Sequence, residues 1–382
     1  MTTLQSKLPG IGTTIFTRMS ALAAQHDAIN LSQGYPDFDA PEQLREALAR
    51  AVADGHNQYA PMAGLAALRE QVSQQLLRHR GVHCDPGTEI TIVPGATEGI
   101  FCAITACIRA GDEVILLDPC YDSYEPAIEL AGGRAVHVPL ISPGFSVDWH
   151  AVGAAISQQT RMIIINSPHN PTGATLSLED LSSLEQLAEK HDLLVCSDEV
   201  YEHLVYDDQQ HQSVLQFPAL RQRSFAHFSF GKTFSVTGWK TGYCVAPPAL
   251  TAELRKVHQF VAFVAVTPVQ QALADFLATE PDYPASLAAF YQRKRDLFCE
   301  ALASSRFQCR PSAGTYFQLL DYSDVTKAAD HELCERWTRD HGVASIPVSV
   351  FYEQPPAQNY LRFCFAKSDS TLEKAAEILC RI

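Results

Sequence analysis

Short apolar runs alternate with amphipathic stretches between about residues 89 and 246, and several of the runs are rich in Val and Ile. Runs of this kind are typical of strands that are buried on both faces. The predicted strands are EITIV (89–93), EVILLD (113–118), AVHVPL (135–140), RMIIIN (161–166), LLVCSD (193–198) and FAHFSF (225–230). Between them, the stretch 177–191 repeats leucine at helical spacing behind a Ser177–Asp180 capping box. The pattern predicts an α/β fold in which helices cover both faces of a mostly parallel sheet.

The pattern changes after about residue 280. A long helix is predicted at 285–305, and the strands TYFQLLD (315–321) and LRFCFA (361–366) follow it, with helices near 330–341 and 370–381. Isolated strands among helices are typical of an α+β unit, and a chain of 382 residues is long enough for one large domain and a second, smaller one. We therefore expect a separate α+β lobe after the sheet, with a cleft between the two.

Composition narrows the function classes. The formal net charge of -14 argues against a nucleic-acid or anionic-membrane surface. The eleven cysteines are scattered, which suits reduced thiols in a cytosol better than a disulfide framework. No secretory leader and no apolar run of membrane length is found, so a cytoplasmic protein is expected. The 14 histidines show no metal-binding spacing, and no metal is indicated.

The residues that follow the predicted strands are candidates for a ligand site, because open α/β sheets bind ligands at the carboxyl ends of their strands. Gly95, Ala96 and Thr97 open a helix, whose N-terminus attracts phosphate but also suits an ordinary helix start. Three further strand ends carry Tyr121, Asn170 and Asp198. The Tyr121 ring can stack on a planar ligand or cap the core, and the Asn170 amide can hydrogen-bond to a ligand or to the backbone of its own turn. A carboxylate at the end of an apolar strand needs a cationic partner.

The stretch HFSFGKTFSVTGWKTGY (227–243) places two lysines in an apolar and hydroxyl-rich run. A buried ammonium group is costly unless it is paired or neutral, so Lys232 and Lys240 either lie at exposed strand ends or serve a chemical purpose. Together with a phosphate cradle, a ring, an amide and a carboxylate, they match the needs of pyridoxal 5'-phosphate (PLP). PLP is the predicted cofactor, with Lys232 bonded to its aldehyde and Lys240 at its phosphate.

Blocks in the order of a known family extend from residue 31 to 367. They are LSQGYPDFDAP, NQYAPMAG, PGATEG, DPCYDSYEP, NSPHNPTG, SDEVYEHL, SFGKTFSVTGWKTGY, GTYF, IPVSVFY and LRFCFAK. The set resembles the fold-type I, PLP-dependent class I/II aminotransferases, within them the methionine and kynurenine aminotransferase branch. Many class I enzymes carry Arg at the position of Lys240 and an aliphatic residue at the position of Thr241. The methionine and kynurenine aminotransferase branch resembles this chain at these positions.

The resemblance implies a domain organisation. A large PLP-binding domain with a mostly parallel seven-stranded sheet would span 41–282, and a small α+β domain would span 283–382. The N-terminal segment 1–40 would join the small domain.

The resemblance also implies a role for each site residue. Lys232 would be the catalytic Schiff-base lysine and Asp198 the partner of the pyridine nitrogen. The other implied cofactor ligands are Asn170 and Tyr201 at the phenolic oxygen, Tyr121 on the ring face, and Gly95, Ala96, Thr97, Ser229 and Lys240 at the phosphate. The implied substrate ligands are Gly34, Asn170 and Arg362 at the α-carboxylate, with Phe16 beside the side chain. Tyr59 matches a tyrosine that reaches the phosphate of the neighbouring subunit, which implies a homodimer with shared active sites.

Three functions stay open at this point. They are an aminotransferase, a PLP-dependent cysteine-conjugate β-lyase, and a non-catalytic PLP-binding regulator; the acidic charge disfavours the regulator, because such regulators usually carry a DNA-binding domain.

The substrate is less well defined by the sequence. Methionine and other apolar or aromatic donors, with kynurenine as a candidate, are favoured over aspartate. Aspartate needs a second cation for its distal carboxylate, and Arg18 is the only candidate for that role. Residues available for an apolar wall are Phe16, Tyr121, Phe260, Phe263 and Phe351. A 2-oxo acid would be the acceptor.

Overall fold

The computed structural model describes residues 5–357 and 359–382. The α-helices are α1 (Ile15–Gln25), α2 (Glu42–Ala53), α3 (Ala66–Arg80), α4 (Ala96–Cys107), α5 (Tyr124–Leu130), α6 (Trp149–Ala155), α7 (Leu178–His191), α8 (Pro218–Arg221), α9 (Phe230–Thr233), α10 (Pro248–Val261), α11 (Thr267–Thr279), α12 (Leu287–Ala301), α13 (Asp330–Asp340) and α14 (Asp369–Leu379). Within these described ranges, no helix is both long and apolar enough to span a bilayer.

The strands form one large sheet and two smaller ones. They are β1 (Ile29–Asn30), β2 (Ile90–Val93), β3 (Glu113–Asp118), β4 (Arg134–Pro139), β5 (Thr160–Asn166), β6 (Leu194–Asp198), β7 (Ser224–Ser229), β8 (Gly242–Val245), β9 (Gln308–Cys309), β10 (Phe317–Asp321), β11 (Val343–Ala344), β12 (Ile346–Pro347) and β13 (Tyr360–Cys364). Short 3₁₀ turns lie at Val214–Gln216, Thr237–Trp239, Tyr283–Ser286 and Ser349–Phe351.

The large sheet has seven strands in the order β2-β8-β7-β6-β5-β3-β4. Only β8 runs antiparallel to its neighbours β2 and β7, and the other pairings are parallel. The predicted α/β fold with a mostly parallel seven-stranded sheet is therefore confirmed. Each of the six predicted runs overlaps one of its strands, with bounds that agree to within one residue. The seventh strand, β8, was not among them, because a four-residue segment that begins with glycine is too short to show a hydrophobic period.

Both faces of the large sheet are covered, as the apolar runs predict. Along β3, Ile115 packs in the same cluster as Leu181 of α7, whereas Leu116 packs in the cluster of Ile100 from α4. Successive strand residues point to opposite faces, so a continuous apolar run supplies both clusters. The predicted Ser177–Asp180 capping box is present at the start of α7.

The C-terminal part contains a four-stranded antiparallel sheet in the order β12-β13-β10-β9. Helices α12, α13 and α14 pack with it in a cluster that includes Phe298, Leu333, Phe363 and Leu372. Met19 of α1 belongs to the same cluster, and β1 pairs in parallel with β11. The N-terminal residues therefore pack with the C-terminal part, while the domain boundaries at 40/41 and 282/283 stay predictions.

Candidate active site

The N-terminus of α4 forms one wall of a pocket at the carboxyl ends of the sheet strands. Gly95 is its N-cap with φ +81°, and no side chain caps this end of the helix. The first backbone N–H groups of a helix have no acceptor within the helix, so those of Ala96 and Thr97 can bind an anion. On the neighbouring strand, a Cβ at Gly242 would lie 2.4 Å from the Phe228 carbonyl oxygen and 3.1 Å from the Ala96 nitrogen. Glycine there keeps the helix start close to the sheet.

Lys240 brings a positive charge to this helix start. It follows the 3₁₀ turn Thr237–Trp239 and adopts a left-handed conformation with φ +49°. A Cβ added at Gly95 would lie 3.3 Å from Lys240 Nζ, so the ammonium group stands directly beside the glycine. Ser229, at the end of β7, lines the same pocket. Uncapped N–H groups, a hydroxyl and an ammonium group together fit a phosphate.

Lys232 projects into the pocket from α9, the short helix that follows β7. Its Nζ donates to the Tyr316 hydroxyl at 2.9 Å and to the Gly34 carbonyl at 3.4 Å. Burial lowers the pKa of Lys232 from the usual 10.5 to about 8, and the positive charges of Lys240 and Arg362 act in the same direction. The amine is therefore available in its neutral form at mildly alkaline pH.

Asp198 ends β6 at the floor of the pocket and is 5% exposed. Tyr124 donates its hydroxyl proton to Oδ2 at 2.6 Å, and the Val200 N–H donates to Oδ1 at 3.3 Å. Burial raises the pKa of this carboxyl to about 6, against the effect of these two hydrogen bonds and of Lys232. The carboxylate thus lacks full compensation within the chain and fits a cationic ring nitrogen.

Asn170 is held in place by two neighbours. Its N–H donates to Asn166 Oδ1 at 2.7 Å, and Asn166 Nδ2 donates to the Asp198 carbonyl at 2.8 Å. Arg362 Nη1 donates to Asn170 Oδ1 at 2.6 Å, and Nη2 donates to the Ser32 carbonyl at 3.0 Å. This network joins the ends of β5 and β6 to β13 of the smaller sheet.

Arg362 is 1% exposed, and its Nε atom is buried without a hydrogen-bond partner. The guanidinium carbon lies 3.9 Å from the Phe317 ring centre, 5.1 Å from Phe16 and 5.7 Å from Phe351. Burial lowers the pKa of Arg362 from its usual value, although the group remains a cation. A buried cation with an unpaired N–H in an aromatic surround fits a carboxylate ligand.

Two tyrosines complete the pocket walls. Tyr121 lines it next to Tyr124, with ring centres 5.8 Å apart, and burial raises the pKa of its hydroxyl to about 12. Tyr201 packs edge-on against Tyr316 at 5.1 Å, and burial raises the pKa of its hydroxyl as well. Both hydroxyls are therefore protonated at neutral pH and can donate hydrogen bonds.

Most of the predicted site residues meet in this one pocket. Those that line it are Gly95, Ala96, Thr97, Tyr121, Asn170, Asp198, Tyr201, Ser229, Lys232 and Lys240. Gly34, Arg362 and Phe16 adjoin it through the contacts described above.

Tyr59 stands apart from the pocket of its own chain. Its side chain is 83% exposed, and its ring packs edge-on against Phe263 at 5.5 Å. Phe263 and Phe260 are themselves 41% and 84% exposed, and neither packs on Arg362 within the chain. Arg18, the suggested second cation, forms an ion pair with Glu335 at the surface.

Several residues of this pocket and its surroundings were not predicted from the sequence. They are Ser32, Tyr124, Asn166, Thr237, Thr241, Tyr316 and Phe317. Asn166 could have been found, because it ends β5 as Asp198 ends β6. Tyr124 is the first residue of α5 and Tyr316 lies in a distant loop, so only the folded chain brings them to Asp198 and Lys232.

The aminotransferase class I and II family matches residues 26–379. Methionine aminotransferase from Escherichia coli (strain K12) is 52% identical over 375 residues, with 98% of this chain and 97% of that protein covered. The solved structure of YbdL from Escherichia coli, for which a methionine aminotransferase function was identified, has a TM-score of 0.98 and 52% identity over the full length of both chains.

More distant relatives have other names. The probable N-succinyldiaminopimelate aminotransferase DapC from Mycobacterium tuberculosis is 40% identical, with 97% and 96% of the two chains covered. Kynurenine–oxoglutarate transaminase from Dictyostelium discoideum is 32% identical, with 97% and 94% covered. The chain therefore belongs to the class I and II aminotransferases and is a PLP-dependent transaminase.

Proposed function

We propose that this enzyme transfers the α-amino group of methionine, and of other apolar or aromatic amino acids, to a 2-oxo acid. The observation that carries the proposal is the group of three aromatic rings, Phe16, Phe317 and Phe351, around the buried Arg362 guanidinium, whose Nε is free. The 52% identity to a methionine aminotransferase supports the same donor class. Kynurenine is a further candidate, supported by the more distant kynurenine transaminases.

PLP supplies an aldehyde that condenses with amines and a cationic ring that withdraws electrons from the substrate Cα. In our proposal, Lys232 would hold the cofactor at its aldehyde, and Asp198 would pair with the ring nitrogen. The phosphate ligands would be Gly95, Ala96, Thr97, Ser229 and Lys240. Asn170 and Tyr201 would donate to the phenolic oxygen, and Tyr121 would cover the ring face.

Lys232 is the residue suited to move the substrate proton. Its Nζ sits between the Tyr316 hydroxyl and the Gly34 carbonyl, and its pKa of about 8 lies close to neutrality. A base is most effective when its pKa lies near the working pH, because it is then both available and able to release the proton. Neutral Nζ would therefore take the Cα proton and, as an ammonium group, return it.

Asp198 would act through charge. With a pKa of about 6 it is ionised at neutral pH, and the hydroxyl of Tyr124 holds it in one orientation. Its negative charge would keep the ring nitrogen protonated.

The surroundings of Arg362 favour an apolar donor. The guanidinium would bind the α-carboxylate that every amino acid carries, so it does not select a side chain. Phe16 and Phe351, with ring centres 5.9 Å apart, offer ring surfaces beside it. A thioether gains about 0.3–1.5 kcal/mol per ring contact, whereas a second carboxylate desolvated without a partner costs several kcal/mol. Arg18, held by Glu335, does not provide that partner.

We also propose a homodimer in the cytoplasm. Tyr59 and Phe260 expose large rings, which suits an interface in which Tyr59 reaches the phosphate of the other subunit. Eleven free cysteines suit a reducing compartment.

The donor class is tested with a panel of amino donors and several 2-oxo acids. We expect kcat/KM for methionine to exceed that for aspartate at least about tenfold, which corresponds to about 1.4 kcal/mol. Phe16→Ala should reduce the apolar donors selectively, and Arg362→Ala should reduce all donors by a similar factor. Without a 2-oxo acid, product should stop at about one equivalent per site.

Two results would contradict this proposal. If aspartate were the better donor, the apolar site would be wrong and Arg18 would be the next residue to test. If a cysteine conjugate released ammonia and pyruvate continuously without an acceptor, the β-lyase activity would be favoured instead.

A further inference from the structure

Two cysteines outside the active-site pocket have their sulfur atoms in contact. Cys299 lies in α12 and Cys309 in β9, and their Sγ atoms are 3.1 Å apart. Among the cysteines of the described residues, this is the only pair of sulfurs at hydrogen-bond distance. The sulfurs of a disulfide lie about 2.0 Å apart, so these two thiols would have to approach each other by about 1 Å to form the bond.

The pair can be reached by a small solute. Both cysteines are half-buried, and Cys309 lines a surface cavity together with Gln308, Arg310 and Asp321. The adjacent thiol of Cys299 lowers the pKa of the Cys309 thiol, and the Arg295 guanidinium acts in the same direction. A thiolate with solvent access is the form of cysteine that reacts with oxidants.

The surrounding polar groups do not depend on the Cys299 proton. The Cys299 thiol donates to Gln318 Oε1 at 3.5 Å, but the same oxygen accepts the Ser312 N–H at 3.1 Å. Gln318 Nε2 donates to the carbonyls of Arg310 and Leu319 at 2.7 and 2.8 Å. Loss of the thiol proton would therefore leave no buried amide of Gln318 without a partner.

We propose that Cys299 and Cys309 form a dithiol that hydroperoxides oxidise to an intramolecular disulfide. The Cys309 thiolate attacks one peroxide oxygen, the O–O bond breaks, and the departing oxygen leaves as water or an alcohol after taking a proton. The sulfenic acid formed on Cys309 is then attacked by Cys299, so that the S–S bond forms, the S–O bond breaks and water leaves. In sum, two thiols lose two electrons and two protons, and one hydroperoxide is reduced. A cellular dithiol would reverse the step by exchange.

The test treats the PLP-loaded, full-length enzyme with hydrogen peroxide, alkylates the remaining thiols and maps tryptic peptides. Trypsin separates the two cysteines, because 296–306 carries only Cys299 and 307–327 carries only Cys309. We expect these peptides as a linked pair that lacks two hydrogen atoms and that dithiothreitol separates. Cys380, half-buried beside the end of α12, supplies the matched control. Cys380→Ser should form the link as the parent does, and Cys299→Ser or Cys309→Ser should not.

The parent enzyme alone decides the outcome, so the result does not depend on how well the variants fold. Full alkylation of both cysteines after peroxide treatment would overturn the proposal. A link from Cys309 to Cys380, or a link between two chains, would overturn it as well. Activity does not enter this readout, so the proposal and the donor assignment are tested separately.

Discussion

Burial changes the acid–base behaviour of individual residues at this site. Lys232 and Asp198 belong to the same pocket, and burial lowers the pKa of the lysine to about 8 and raises that of the carboxyl to about 6. Each shift favours the neutral form. The folded protein without cofactor therefore loses stability by holding Asp198 ionised, and the charge is retained for a cationic ligand.

The pH dependence of stability follows from the direction of the Asp198 shift. Between its usual value of 3.8 and about 6, the folded state retains a proton that the unfolded state has released, so stability falls as the pH rises. The destabilisation caused by ionised Asp198 is absent below about pH 3.8 and complete above about pH 6. Asp198→Asn removes it, and we expect the variant to raise the Tm of the cofactor-free protein by about 2 °C or more at pH 8, with a smaller change near pH 4.5.

Thermal unfolding of both proteins at the two pH values checks this expectation. Asp54→Asn serves as the control, because Asp54 is exposed at the end of α2. The same change in Tm at both pH values would mean that Asp198 titrates normally in the folded protein.

At the level of elements, the start of α4 is built around a left-handed residue. Gly95 has φ +81°, a conformation in which a side chain is strained, and a Cβ there would press on Lys240. We expect Gly95→Ala to weaken PLP binding at least about tenfold, since about 1.4 kcal/mol suffices for that factor and strain at positive φ alone is of order 1–3 kcal/mol.

Gly111 serves as a control that separates backbone strain from the loss of the phosphate site at the start of α4. It has φ +90°, and a Cβ there would meet nothing within 4 Å. Gly111→Ala should therefore lower the Tm as Gly95→Ala does, yet leave the PLP dissociation constant unchanged. PLP titrations monitored by absorbance give the constants. Equal PLP affinities for the two variants would contradict the proposed phosphate site at the start of α4.

The proposed homodimer can be tested through Tyr59. If Tyr59 serves the site of its partner, Lys232→Ala and Tyr59→Ala should complement each other when the two variants are co-expressed. Half of randomly formed dimers are hybrids, and each hybrid regains one intact site, so about a quarter of the parent activity should return.

The complementation is measured at limiting PLP. Under this condition, loss of a hydrogen bond to the phosphate should weaken PLP binding by the Tyr59→Ala variant alone about tenfold. Mixtures that show no more activity than the separate variants would mean that Tyr59 does not serve the site of its partner. Light scattering of the parent protein measures the oligomer independently.

Much of the large sheet could be predicted from local pattern. Inner parallel strands such as β3 and β5 are buried on both faces, and a run that must be apolar on both sides stands out in a sequence. The same pattern gives the strand ends, and hence Tyr121, Asn170 and Asp198. Strand β8 and the pairing of β1 with β11 were not visible, because such short segments take their structure from their partners.

The fold class, the cofactor chemistry and most residues of the pocket could be predicted without a structure, because motifs at strand ends and ordered blocks are local features. Which distant groups meet became known only from the folded chain. Arg362 faces Asn170 across 192 residues, and Lys232 meets Tyr316 across 84. The fold also pairs Arg18 with Glu335 and packs Phe317 on Arg362. Such contacts depend on how the two sheets pack against each other, and no local pattern of residues encodes that packing.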